Sequence, residues 1–148
     1  MSLVTSIMRA QQLLQARVDA TLKPFDLSFA RYEVLRLLAF SREGRLPLSS
    51  VVARLQVHAT SVSSTAERLV RDGLIERQPH PRDGRAAMLE LTAAGRTLVE
   101  VATEALNAEV FADPGLDSKD TTDLVAIVAR LRKNAGDFAD PKPQPDPL

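Results

Sequence analysis

The chain has 148 residues, 45% of them hydrophobic, and its 19 basic and 19 acidic side chains cancel to a formal net charge of zero. That length suits one domain or two intimate halves and buries a core without staples. There is no cysteine, which excludes disulfide scaffolds, zinc–thiolate sites and thiol redox sensing.

Leu3, Ile7, Leu14 and Val18 recur at helical spacing, with Ala10 and Leu13 beside them. They predict an amphipathic helix that Lys23-Pro24 ends. This N-terminus lacks the long apolar core and cleavage site of a signal peptide, and no run in the sequence is long enough to cross a bilayer. The expectation is a cytoplasmic protein with no membrane partner. Ser28 is placed to cap the next helix, FARYEVLRLLAF, whose Val34, Leu35, Leu37 and Leu38 face a core. SREGR reads as a surface turn, and Pro47 as the start of a short helix, PLSSVVARL. After a tight three-residue connection, HATSVSSTAERLVRDG reads as a longer helix. Its apolar face is Val62, Ala66, Leu69 and Val70, and Gly73 stops it. Short helix, tight connection and longer helix make the spacing of a helix-turn-helix.

LIERQ and AAMLELT predict two strands, and PHPRDGR between them a hairpin tip with Asp83-Gly84 as the turn signal. Thr92 caps a long helix over about 93–112, with Leu98, Val101, Ala102, Ala105 and Leu106 inward, and Pro114-Gly115 breaks it. A final helix over about 118–135 carries Leu124, Ile127, Val128 and Leu131 on one face. The closing DFADPKPQPDPL has the composition of a flexible segment. The fold class is therefore mainly α with a small β-hairpin wing (α+β). A winged helix-turn-helix lobe spans 28–92, an all-helical body 1–27 and 93–136, and a flexible tail 137–148.

The zero net charge hides an asymmetry. Residues 41–96 carry nine basic and six acidic groups, whereas residues 97–148 carry five and ten. It is the local field that a polyanion meets, so a basic middle segment suits nucleic acid. Fifteen of the 19 basic residues are arginine, the better fork for phosphates and base edges. A recognition helix fills a major groove, where each base pair shows its full donor and acceptor pattern. The candidate contacts on it are Thr60, Ser61, Ser63, Ser64, Thr65 and Arg68. A hairpin beyond it reaches the neighbouring minor groove, which attracts an arginine. Arg85 is the candidate probe, Asp83 its orienting partner, and Arg82 and Arg77 candidates for phosphates.

The stretches LSFARYEVLRLLAF, LPLSSVVARLQVHATSVSSTAERLVRDGLIERQ and RDGRAAMLELTAAGRTLVE resemble the MarR family of winged-helix transcriptional regulators. The likeness runs from about Leu27 to Glu100, and its most specific element is Asp83-Gly84-Arg85 followed by Leu89, Leu91, Thr92 and Gly95. The resemblance implies a homodimer whose N- and C-terminal helices form the dimerisation body. It also implies binding to a pseudo-palindromic double-stranded DNA operator, as a repressor released by a small anionic or aromatic effector. Arg9, Arg17, Arg31 and Tyr32 are the candidates for holding that effector. Many relatives carry an arginine where Ser64 stands, so here shape readout and the wing take more of the specificity.

A winged-helix module that binds protein and not DNA is the competing class, favoured by the neutral total charge and the hydroxyl-rich helix. An enzyme is not expected, because the sequence has no P-loop, dinucleotide fingerprint, HExxH or nucleophile elbow. Two lone histidines without a carboxylate at ligand spacing predict no metal site, and no cofactor is expected.

Overall fold

The structure is a computed structural model that describes residues 2–55, 58–81 and 83–137, with the backbone alone for 83–85. The chain divides into two compact units, Met1–Ala112 and Asp113–Leu148.

The first unit opens with α1 (Ser2–Leu22), whose buried residues Val18, Thr21 and Leu22 lie towards its C-terminal end. Pro24 then sits in the three-residue 3-10 turn Lys23–Phe25, where its missing N–H costs nothing. Ser28 caps α2 (Phe29–Phe40), its Oγ accepting from the Arg31 backbone N–H at 3.3 Å. The strand β1 (Arg45–Pro47), the helices α3 (Leu48–Leu55) and α4 (Ala59–Arg71), and the strands β2 (Ile75–His80) and β3 (Asp83–Leu91) follow. The unit closes with α5 (Ala93–Leu106) and a π-helical turn, Asn107–Phe111.

The core gathers one apolar stripe from nearly every element. Leu22, Leu35, Leu38, Leu69, Ile75, Leu89 and Leu106 are fully buried, each burial contributing about 1.5–3 kcal/mol. Two expected core positions lie outside it: Val70 is 38% exposed and Val101 43%. Each sits about 100° around its helix from a buried neighbour, Leu69 or Ala102. Val99 and Thr103 take the inward positions of α5 instead.

The sheet has three strands, not the two expected, in the antiparallel order β1-β3-β2. Arg45 pairs with Glu90, Leu46 with Leu89 and Pro47 with Met88. The helix expected from Pro47 therefore begins one residue later, and Pro47 ends a strand. Both outer strands hold a proline, Pro47 and Pro79, which an edge tolerates because one side needs no ladder hydrogen bond. The turn also shifts. His80 pairs with Asp83, so Asp83-Gly84 opens β3 rather than making the bend. Pro79 pairs with Ala87, and the register jump between Pro79 and His80 leaves a bulge near the tip.

Gly95 closes the joint between wing and α5. A Cβ there would stand 2.0 Å from the Leu74 carbonyl oxygen, so only glycine lets the two backbones approach. Thr92 caps α5 by accepting from Gly95 N–H at 3.0 Å while donating towards the Leu74 carbonyl at 3.0 Å. The expected single helix over 93–112 thus ends in a π turn, with Ala112 N–H reaching Asn107 O at 2.9 Å.

In the second unit Asp117 caps α6 (Ser118–Asn134), accepting from Asp120 N–H at 2.8 Å. No residue of α6 is buried, and Leu124, Val125, Ile127, Val128 and Leu131 are exposed.

Candidate nucleic-acid interface

The helix α4 divides into stripes that follow from its 3.6-residue period. Val62, Ala66 and Leu69 are buried in the core. Opposite them, Thr60, Ser64, Glu67 and Arg71 are exposed. Ser61, Thr65 and Arg68 form one flank, and Ala59, Ser63 and Val70 the other. The six expected contact residues are therefore spread over the outward face and both flanks. Arg71 extends the line of Thr60 and Ser64 and was not among them; its spacing of seven from Ser64 carries that signal in the sequence.

The flank of Ala59 and Ser63 looks towards the wing. A cleft of about 380 Å3 lies there, lined by Leu48, Ser49 and Val52 of α3, by Ala59 and Ser63, and by Arg77, Ala86 and Ala87. Arg77 is exposed on β2, opposite Leu89 of β3. The structure thus brings Arg77 and Ser63 to one cleft and adds Ser49, which the sequence did not single out. Arg82 lies outside the described residues, and so do the side chains of Asp83 and Arg85.

The seating of α4 is held from α2. Arg31 pairs with Asp72, the residue that follows α4, and donates to the Asp26 carbonyl at 2.9 Å. Its Nε is buried without a hydrogen-bond partner. A largely buried arginine tied at both ends of its fork is a strut between the start of one helix and the end of the other.

The four effector candidates meet four different partners. Arg9 donates to Gln12 Oε1 at 3.3 Å on the exposed part of α1. Arg17 donates to the Glu109 carbonyl at 2.7 Å, beside the Thr21 hydroxyl, which donates to Glu109 Oε2 at 2.8 Å. A π turn leaves carbonyls without their regular helical donors, and α1 supplies one here. Arg31 is the strut just described. Tyr32 is 6% exposed, and its hydroxyl lies 3.1 Å from Thr103 Oγ1. Thr103 gives its own proton to Val99 O at 2.6 Å, so Tyr32 is the donor and ties α2 to α5 inside the core.

A second cavity, of about 500 Å3, lies on the other flank of α4, where Ser61 and Thr65 face Ala30, Glu33 and Val34 of α2. Burial pushes the Glu33 carboxyl above the usual carboxylate range. No helix among the described residues is long and apolar enough to cross a membrane.

A model of the MarR family matches residues 25–86. The HTH-type transcriptional repressor YetL of Bacillus subtilis is 30% identical over 74 residues, covering 50% of this chain and 44% of that protein. The chain spans about half the length of the curated relatives it first matches. Among solved structures, Sco3205, a MarR family transcriptional regulator from Streptomyces coelicolor in complex with DNA, superposes with a TM-score of 0.79. It is 22% identical, with 90% of this chain and 86% of that one covered, and shows the shared fold. Sco5413, a MarR family transcriptional regulator from the same organism, is 46% identical with a TM-score of 0.83, over 95% of this chain and 97% of that one. With nearly half of the residues kept over almost the whole of both chains, and the same winged helix beneath them, this chain belongs to the MarR family of transcriptional regulators.

Proposed function

We propose that the protein is a homodimeric repressor that binds a pseudo-palindromic operator in double-stranded DNA. The observation that carries this reading is α4, a helix with its apolar stripe buried and its outer stripe and flanks dressed in hydroxyls and arginines. In the duplex complex α4 lies in the major groove, with Thr60, Ser64 and Arg71 foremost and Ser61, Ser63, Thr65 and Arg68 at the sides. Arg77, Arg82 and Arg85 of the wing meet phosphates and the adjacent minor groove, with Asp83 orienting Arg85. The lobe for this work is 28–92, and 1–27 with 93–136 form the dimerisation body. Leu3, Ile7 and Leu14 of α1, and Leu124, Ile127, Val128 and Leu131 of α6, are exposed in the single chain. On this proposal a second copy covers these apolar residues.

Two copies place two α4 helices in successive major grooves, about 10 bp apart centre to centre. The complex of Sco3205 with DNA and the repressor YetL are the relatives that support this. An anionic or aromatic effector acts by drawing Arg17 or Arg31 away from its partner. Taking Arg31 off Asp72 frees the far end of the reading helix, and the effector shifts the equilibrium only by its differential affinity for the two states.

The test is a titration of labelled duplexes from the protein's own promoter region over a series of salt concentrations. The expected result is a dimer by light scattering and an affinity that falls linearly with the logarithm of salt, as phosphate contacts release counterions. A monomer, or a protein indifferent to every duplex at low salt, refutes the proposal.

A further inference from the structure

The cavity between α2 and α4 holds a carboxylate that nothing among the described residues neutralises. Glu33 lines the 500 Å3 space beside Ala30, Val34, Leu55 and Val62, which make its apolar wall. Ser61, Thr65 and His58 supply the polar atoms on the α4 side. Among the described residues no cation or hydrogen-bond donor meets the Glu33 carboxylate, and desolvation is the one cause acting on it. The arginines on the same helix are committed elsewhere. Arg31 pairs with Asp72, and the Arg36 guanidinium lies 3.9 Å from the centroid of the Phe40 ring. Partial burial disfavours the charged form of Glu33, and a cation entering the cavity would favour it again.

The volume lies within the range of small-molecule sites, about 300–1,000 Å3. A bare metal ion fits poorly, because a hard cation wants several charged or carbonyl oxygen ligands and Glu33 is the one carboxylate among the described lining residues. An organic ammonium fits on both counts. Its charge answers Glu33, its remaining N–H groups reach hydroxyls, and its carbon body fills the wall of Val34, Leu55 and Val62. We propose that the cavity between α2 and α4 is a binding site for a small primary amine with an aromatic or aliphatic body, whose ammonium pairs with Glu33. This site differs in place and in charge preference from one built on the arginines for an anionic effector, and it stands whether or not the protein binds DNA.

The experiment titrates the intact protein with benzylamine, benzyl alcohol and benzoate, which share a ring and differ in charge. Calorimetry reads affinity, and methyl NMR shifts of Val34, Leu55 and Val62 read location. Benzylamine is expected to saturate with a Kd on the order of 1 mM, a fragment-scale affinity. Benzyl alcohol and benzoate should bind about tenfold more weakly or worse, and Glu33→Gln should cost benzylamine about tenfold, the scale of one charged hydrogen bond. Glu104→Gln, which removes an exposed carboxylate of α5, should leave benzylamine binding unchanged. The proposal is overturned if benzoate or the alcohol binds as well as the amine, if Glu33→Gln retains full affinity, or if the shifted methyls lie elsewhere. Duplex titrations without amine are independent of all three outcomes, so this proposal and the DNA reading fail separately.

Discussion

Replacing Gly95 with alanine sets two physical effects against each other. Alanine is the better helix former by about 1 kcal/mol, and position 95 lies in the first turn of α5. Propensity alone predicts a more stable protein. The joint predicts the reverse. The new Cβ would stand 2.0 Å from the Leu74 carbonyl oxygen, 3.0 Å from its carbon and 2.9 Å from a Leu91 methyl. The methyl can rotate away. The carbonyl cannot, because it accepts from Thr92 N–H at 3.2 Å and from Thr92 Oγ1 at 3.0 Å. Parting α5 from the residue before β2 sacrifices the Thr92 N–H bond, at about 1 kcal/mol, while the Thr92 hydroxyl keeps the Gly73 carbonyl as acceptor at 2.9 Å. Overpacking adds roughly 1–3 kcal/mol of strain. Against the propensity gain, the net loss is about 1–3 kcal/mol. For a chain of this length that lowers the Tm by on the order of 10 °C. Urea denaturation followed by circular dichroism, with calorimetry beside it, measures both. A midpoint equal to or above wild type would show that the joint is slack and that the close approach has no energetic meaning.

Tyr32→Phe removes the donor to Thr103 but leaves Thr103 bonded to Val99; it should cost about 1 kcal/mol in the same urea assay, and a loss of several times that would mean Tyr32 does more than tie α2 to α5. Glu33 responds to pH with a definite sign. Its folded carboxyl titrates above the usual 4.5, so the stability it contributes is full below that pH and is lost as pH rises through the raised folded value. Glu33→Gln should therefore be more stable than wild type at pH 7, with the advantage vanishing towards pH 4.5; an advantage that persists in acid would contradict the desolvation argument. Leu131→Asp places a charge on the apolar face of α6 and should yield monomers by light scattering, with duplex binding lost alongside; a variant still fully dimeric would move the interface off that face. Arg77→Ala should weaken binding to all duplexes alike and reduce the salt slope by about 1, the behaviour of a phosphate contact.

Periodicity and caps made most of the helices legible. Ser28 and Thr92 stand at the two N-caps assigned to them, and Val62, Ala66 and Leu69 form the buried stripe of α4. What escaped has physical reasons. A strand of three residues, Arg45–Pro47, is too short for an alternation to register, and it exists because β3 offers it an edge. Val70 and Val101 are apolar, but their angles on the helices were overridden by the hydrophobic count. Arg17 and Glu109 are 92 residues apart and Arg31 and Asp72 are 41 apart, and nothing local in a sequence announces such partners. Arg31 and Tyr32 also hold contacts of the fold itself, to Asp72 and Thr103, which their residue types alone do not announce. The hydroxyl run of α4 was visible as a group, but its division between two cavities needs neighbours that only the folded chain supplies.

The shared middle strand has a mechanical meaning. Because β3 is bonded to β2 on one side and to β1 on the other, and β1 runs into α3 with no residue between, the hairpin is geared to the helix-turn-helix. In the proposed DNA complex the wing and α3 are then expected to be placed as one piece, so that a change in either is felt by the other.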